Sequence, residues 1–312
     1  MLSAISGGYD MHSSRRNSVR ALTASLHDGK THLLLACSGS VATIKLPNII
    51  QALSKYHSSQ LSIRVVLTPS ASRFLAGQSK EQPTVSGISG LPNVDAVYID
   101  ADEWKVPWVR GAGILHIELR RWADILVIAP LSANTLAKIV GGFSDSLLTS
   151  VVRAWDPWGE QDANPAPAAT TSTAGNTDTS TQGTATVIPM TPAGTDGASK
   201  NRRLKKRRII VAPAMNTAMW RHPITAKQLR VLEEEWGVQK APAPTQPDDG
   251  PAPGTSATFQ DNDVRKDEGD GWFEVLRPQS KVLACGDAGD GAMLEWSRIV
   301  TIIEERLGLG AQ

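Results

Sequence analysis

A chain of 312 residues suggests two domains at ~150 residues each, but its composition lowers that count. Residues 162–200 hold only Val187, Ile188 and Met190 as apolar side chains larger than Ala, and residues 241–271 only Phe259 and Val264, so neither stretch can bury enough surface to offset ordering its backbone. With 32 basic and 31 acidic residues the net charge is +1, which removes any overall electrostatic pull toward nucleic acid or an anionic membrane. What remains is one medium-sized domain over residues 31–307, interrupted by two disordered insertions and flanked by a polar tail at 1–30 and a short one at 308–312. No run approaches the ~18 apolar residues of a spanning helix, and no apolar segment follows the start, so a soluble cytoplasmic protein is expected. The first 30 residues are Ser- and Arg-bearing, a faint transit-peptide pattern that Asp10 and Asp28 weaken.

In chain order, strands are expected at residues 32–36 (HLLLA), 61–67, 94–99, 125–129 (ILVIA), 208–212 and 272–276. Helical patterns fall at 41–56, in a short turn at 70–75, and at 115–123, 134–155, 217–236 and 295–307. Short apolar runs alternating with longer helical ones define a doubly wound parallel α/β sheet, which binds ligands beyond the carboxyl ends of its strands. The cluster RRLKKRR from Arg202 to Arg208 reads as a solvated flank of a strand, with nuclear entry or a polyanion patch as the alternative.

The residues after each strand therefore carry the argument. After the first comes a small-residue turn with Gly39 and Ser40, where a helix start favours a phosphate, although such a turn needs Gly and Ser without any ligand. The second strand ends at Thr68 with Phe74 one turn on, and the fourth runs into Ser132, Ala133, Asn134 and Thr135. Together these could bind a phosphate and the polar edge of a ring against an apolar wall. Asn216, after the fifth strand, suits an N-cap or a carboxylate-orienting amide. Cys285 stands among three glycines, suggesting a mobile flap that bears a thiol. His116 and Arg120 share a helical face, and no histidine completes a metal set. Cys37 and Cys285 are too few for a disulfide framework.

The GSVA turn, HIELRRWADILVIAPLSANTLAKI, PAMNTAMW and ACGDAGDGAM resemble the phosphopantothenoylcysteine decarboxylases, flavin-dependent cysteine decarboxylases that include fungal halotolerance proteins. That resemblance implies a flavodoxin-like (Rossmann-like) sheet, bound FMN, and a homotrimer with active sites between subunits. Family flavin contacts fall on Gly39, Ser40, Thr68, Phe74, Ser132, Ala133, Asn134 and Thr135. The catalytic histidine falls on His116, the substrate-binding Asn and Met on Asn216 and Met219, and the thiol on Cys285. Lys45 and Arg121 match basic residues, and Gly289 the flap glycine.

The chemistry implied is decarboxylation of 4′-phospho-N-pantothenoylcysteine to 4′-phosphopantetheine in coenzyme A biosynthesis, through a thioaldehyde and an enethiolate. The substrate amine is tied up as an amide and cannot form an imine, so a redox cofactor must supply the electron sink. His116 would handle a proton, Asn216 would hold the carboxylate without a charge that opposes its loss, and Cys285 would protonate the enethiolate. Lys45 and Arg121 would meet the phosphate. The alternative is a regulatory subunit that inhibits a Ser/Thr protein phosphatase, or a partner in a heterotrimeric decarboxylase. His116, Asn216 and Cys285 occurring together in one chain favours the enzyme.

Overall fold

Strands apolar on both faces have no side to turn to water, so each must be covered twice. The computed structural model describes residues 17–159, 206–238, 271–282 and 288–310. Cys285, the stretch 162–200, nearly all of 241–271 and the start of the basic cluster lie outside the described residues.

The first half runs α1 (Val19–Ala24), β1 (Thr31–Cys37), a 3-10 turn (Val41–Lys45), α2 (Leu46–His57), β2 (Leu61–Leu67), α3 (Pro69–Ser72), α4 (Val85–Ser89), β3 (Val94–Ile99), α5 (Asp100–Glu103), α6 (Leu115–Trp122) and β4 (Ile125–Leu131). The second half runs α7 (Ala133–Val140), α8 (Leu147–Arg153), β5 (Ile209–Pro213), α9 (Thr217–Arg221), α10 (Pro223–Arg230), a π-helical turn (Val231–Glu235), β6 (Phe273–Val275), β7 (Gln279–Val282), β8 (Ala288–Ala292) and α11 (Trp296–Leu307). Among the described residues no helix is long and apolar enough to cross a membrane.

Six strands pair in parallel in the order β3-β2-β1-β4-β5-β6. Without β3 at its edge this is the flavodoxin connectivity, with the chain reversing direction across the sheet between β1 and β4. Side chains of β1 alternate between two cores, as a strand period of two demands. Leu33 and Leu35 join Ile49 and Leu53 of α2 and Ile299 and Ile303 of α11, while Leu34 and Ala36 join Leu119 of α6 and Leu136 of α7. All six expected strands form, each within two residues of its expected bounds.

Four expectations need correction. The tail at 1–30 contains α1, whose Leu22 is fully buried and whose Ser18 caps Ala21 N. Its anchorage is polar as well: Asn17 donates to Val97 O at 2.7 Å, and the buried Arg64 of β2 donates to Ser25 Oγ at 3.0 Å and to the Tyr98 hydroxyl. The helix expected at 134–155 is two, because Gly142 adopts a positive φ of 72° and Ser146 starts α8 with a capping box. The helix expected at 217–236 breaks before Pro223, which cannot continue a preceding helix. The flap expected around residues 283–293 includes strand β8, paired antiparallel with β7.

Truncating a buried leucine costs about 2–5 kcal/mol, whereas truncation in a solvated tail costs almost nothing. Leu22→Ala should therefore lower unfolding stability by about 2 kcal/mol or more in urea titration, and an unchanged midpoint would show that α1 does not pack on the sheet.

Candidate active site

The Ser38 hydroxyl bonds twice across the carboxyl ends of β1 and β4, beside the Ser38 backbone N–H, which also donates to Pro130 O. Ser38, fully buried, donates to Pro130 O at 3.0 Å and its Oγ accepts the Ser132 N–H at 2.7 Å. Thr43 Oγ1 returns to Ser38 O at 3.2 Å and fixes the turn that follows. Above this floor opens a cavity of about 770 Å³, within the ~300–1,000 Å³ typical of small-molecule sites.

Its walls come from four strand ends and the C-terminal hairpin. Gly39, Ser40 and Lys45 follow β1, Phe74 follows β2, Ser132, Ala133 and Asn134 follow β4, and Asn216 and Met219 follow β5. Met293 and Trp296 close the far side. Gly39 is required by close approach: a Cβ there would stand 2.4 Å from Ser70 Oγ. Thr68 and Thr135 stand behind the wall rather than in it. Thr68 Oγ1 caps Ala71 N at 3.3 Å and meets Ser70 Oγ at 3.2 Å, while Thr135 Oγ1 accepts from Ser132 Oγ at 3.2 Å.

Asn216 is the N-cap its sequence position allows, and it lines the cavity. Its Oδ1 caps α9 by accepting the Met219 N–H at 2.8 Å, leaving the amide nitrogen without a partner among the described residues. Lys45 also lines the cavity without such a partner. Cys37 is a core residue: its Sγ donates to Ala129 O at 3.1 Å, and burial pushes the thiol far above its ordinary range.

The hairpin explains its glycines by packing rather than motion. A Cβ on Gly289 would lie 1.7 Å from Thr217 Oγ1, and one on Gly291 would lie 2.2 Å from Met215 O. Met215 N donates to Gly291 O at 3.0 Å, so β8 lies backbone to backbone on the turn that carries Asn216. The sequence reading did not single out Ser38, one residue before the GSVA turn, or Gly291, within ACGDAGDGAM.

His116 and Arg121 are not among the cavity-lining residues. His116 begins α6, and its Nδ1 lies 2.8 Å from Glu103 Oε1. Arg121 Nη1 donates to Glu118 Oε1 at 2.8 Å. Beside His116 runs an apolar stretch open to solvent, where Trp104 is 65% and Val106 73% exposed.

A sheet with this switch point, three hydroxyl-bearing strand ends and a cavity over them defines a mononucleotide-binding α/β protein. The flavoprotein family model matches residues 22–171 and 199–308, and the chain belongs to that family. An Arabidopsis thaliana protein described as a probable phosphopantothenoylcysteine decarboxylase is 33% identical, over 88% of this chain and 87% of its own length. A solved cysteine-to-serine mutant of PPC decarboxylase complexed with pantothenoylaminoethenethiol is 32% identical over 88% of this chain and 97% of its own, with a TM-score of 0.53. The FMN binding protein AtHal3 is 32% identical over 91% of this chain and 100% of its own, with a TM-score of 0.52. Two longer relatives, from Schizosaccharomyces pombe and Saccharomyces cerevisiae, are matched over only 30% and 34% of their own length.

Gly291→Ala tests the hairpin's role directly. Its Cβ meets backbone that cannot swing aside, so flavin bound per chain after gel filtration should fall at least ~10-fold while the far-ultraviolet spectrum is kept. Full flavin content in that variant would show that the hairpin does not shape the cavity.

Proposed function

We propose that the chain is an FMN-dependent decarboxylase that converts 4′-phospho-N-pantothenoylcysteine to 4′-phosphopantetheine in coenzyme A biosynthesis. The observation that carries this reading is the unpartnered Asn216 amide at the mouth of a cavity built from three hydroxyl-bearing strand ends. The cavity's donor set suits FMN. Ser40 and the first-turn N–H groups of Ala133 and Asn134 offer uncharged donors for phosphate and ring edge, and Phe74 offers an apolar face. Thr68 and Thr135 set the hydroxyls in front of them. When bound, the flavin supplies a reversible two-electron sink.

This chain's own residues would do the rest. The neutral amide of Asn216 holds the substrate carboxylate without the cationic stabilisation that would oppose its departure. Met219, half exposed at the rim, packs on the substrate's apolar part, and Gly289 lets the hairpin reach that rim. Lys45 is placed for the substrate phosphate, with Arg121 as the second cation. His116 takes the thiol proton, and Cys285 returns one to the enethiolate.

A homotrimer with sites between subunits completes this scheme. His116 lies outside the cavity of its own chain, and the exposed Trp104, Val106, Trp108 and Val109 give its surroundings an apolar surface for a second copy. A heterotrimer with related chains would use the same surface, and cytoplasmic residence fits the substrate.

The test is purified protein given 4′-phosphopantothenoylcysteine, with native mass measured alongside. One CO₂ per substrate from a yellow trimer is expected. Inhibition of a Ser/Thr phosphatase with no CO₂ would overturn the reading in favour of a regulatory subunit. Asn216→Asp sets a second negative charge beside the carboxylate and should lower kcat/KM by at least ~10²-fold with flavin content unchanged. Cys285→Ser should accumulate the decarboxylated enethiol.

A further inference from the structure

We propose that Glu103 is the positioning residue of His116: its carboxylate accepts a hydrogen bond from Nδ1–H and so presents Nε2 as the basic nitrogen. The inference rests on the proposed role of His116. Glu103 Oε1 lies 2.8 Å from His116 Nδ1 and also accepts the His116 backbone N–H at 3.5 Å. A carboxylate offers only acceptors, so Nδ1 must carry the hydrogen, and in the neutral ring Nε2 is then the lone-pair nitrogen.

Three observations argue that this pair is more than a surface bridge. The Glu103 side chain is 4% exposed against 20% for His116, so the acid sits beneath the imidazole and the imidazole faces out. Glu103 Oε2 is buried and has no hydrogen-bond partner, a costly arrangement for a group whose only service is structural. The turn bearing Glu103 is pinned on both sides. Asp102 Oδ2 accepts the Ile99 N–H at 2.9 Å, and Asp100 Oδ1 accepts the Leu147 N–H at 3.1 Å, which joins α5 to the start of α8.

The remaining charges of α6 are engaged elsewhere. Glu118 accepts from Arg121, and Arg120 lies 3.4 Å from Asp156. Glu103 is therefore the carboxylate that fixes the ring. Without it an imidazole is free to exchange its two neutral forms, and one of them puts a proton on the nitrogen that has to accept one.

Two measurements test this, one of them independent of turnover. Nitrogen NMR of protein labelled in its histidine rings should show His116, assigned by its loss in His116→Asn, as the Nδ1–H form. In Glu103→Gln the Nε2–H form should gain at least half of the population. An unchanged His116 spectrum in Glu103→Gln would overturn the proposal, whether or not the protein releases CO₂.

The second is a double-mutant cycle on the loaded protein, with kcat expressed per bound flavin. Glu103→Gln should lower kcat by at least ~10²-fold with KM within about twofold, and should cost nothing further in a His116→Asn background. An equal loss in both backgrounds would make Glu103 a structural residue and sink the idea. Glu103→Asp, which keeps a carboxylate, should retain more kcat than Glu103→Gln; the reverse order would also overturn it. If the wild type releases no CO₂, the decarboxylase reading fails by itself and the NMR result still decides the pairing.

Discussion

A parallel sheet whose helices cross to opposite faces must part at one point, and there the ends of β1 and β4 have no helix between them. Ser38 holds that gap at a fixed width, bonded at once to Pro130 O and to the Ser132 N–H. Every cavity wall is referred to it. The Gly39–Ser40 turn begins one residue on, and Ser132 caps α7 from the same junction. A hydroxyl suits the place because one buried group both donates and accepts there. Replacing it with a larger side chain would push apart two strand ends, not merely alter one surface.

His116 and the residues that line the cavity come from different parts of the fold. Gly39, Ser40, Ser132, Ala133, Asn134 and Asn216 follow the ends of buried strands, where close packing restricts movement. His116 comes instead from the start of α6, behind a turn that faces solvent with its tryptophans. In the proposed scheme, that division would make catalysis depend on a second copy of the chain.

The strands were legible because burial on both faces leaves continuous runs such as HLLLA and ILVIA, which no amphipathic helix produces. The cavity was legible for a related reason: small and hydroxyl residues just beyond such runs occupy the ligand-binding edge. What was hidden depended on partners distant in sequence. The helix α1 looks like polar tail until Arg64, sealed inside the sheet and stacked over Trp122, supplies the donor for Ser25. The glycines of β8 suggest mobility until Met215 O and Thr217 Oγ1 are seen where their side chains would be. Glu103 lies 13 residues before His116, and its turn contains two other acids that bind backbone, so nothing local sets it apart.

At the strand ends, the capping reading and the binding reading are not rivals. Ser40 accepts from Ala42 N, Ser132 from Thr135 N and Asn216 from Met219 N, so each of these three lining residues is also the start of a helical turn. An oxygen engaged with backbone loses rotational freedom; at Asn216 the donor side of the same group has no partner among the described residues, whereas Ser132 Oγ donates to Thr135 Oγ1. Asn216 shows the consequence most clearly: with Oδ1 held at 2.8 Å by the helix, its NH₂ can point in only one direction. The cap thus orients the donor, and in the proposed reaction a donor already oriented would cost little to reorganise as charge moves off the carboxylate. Asp could cap α9 equally well, but it would bring a negative charge and no N–H. Capping alone therefore does not require Asn at this position, whereas holding an anion there without a cation does.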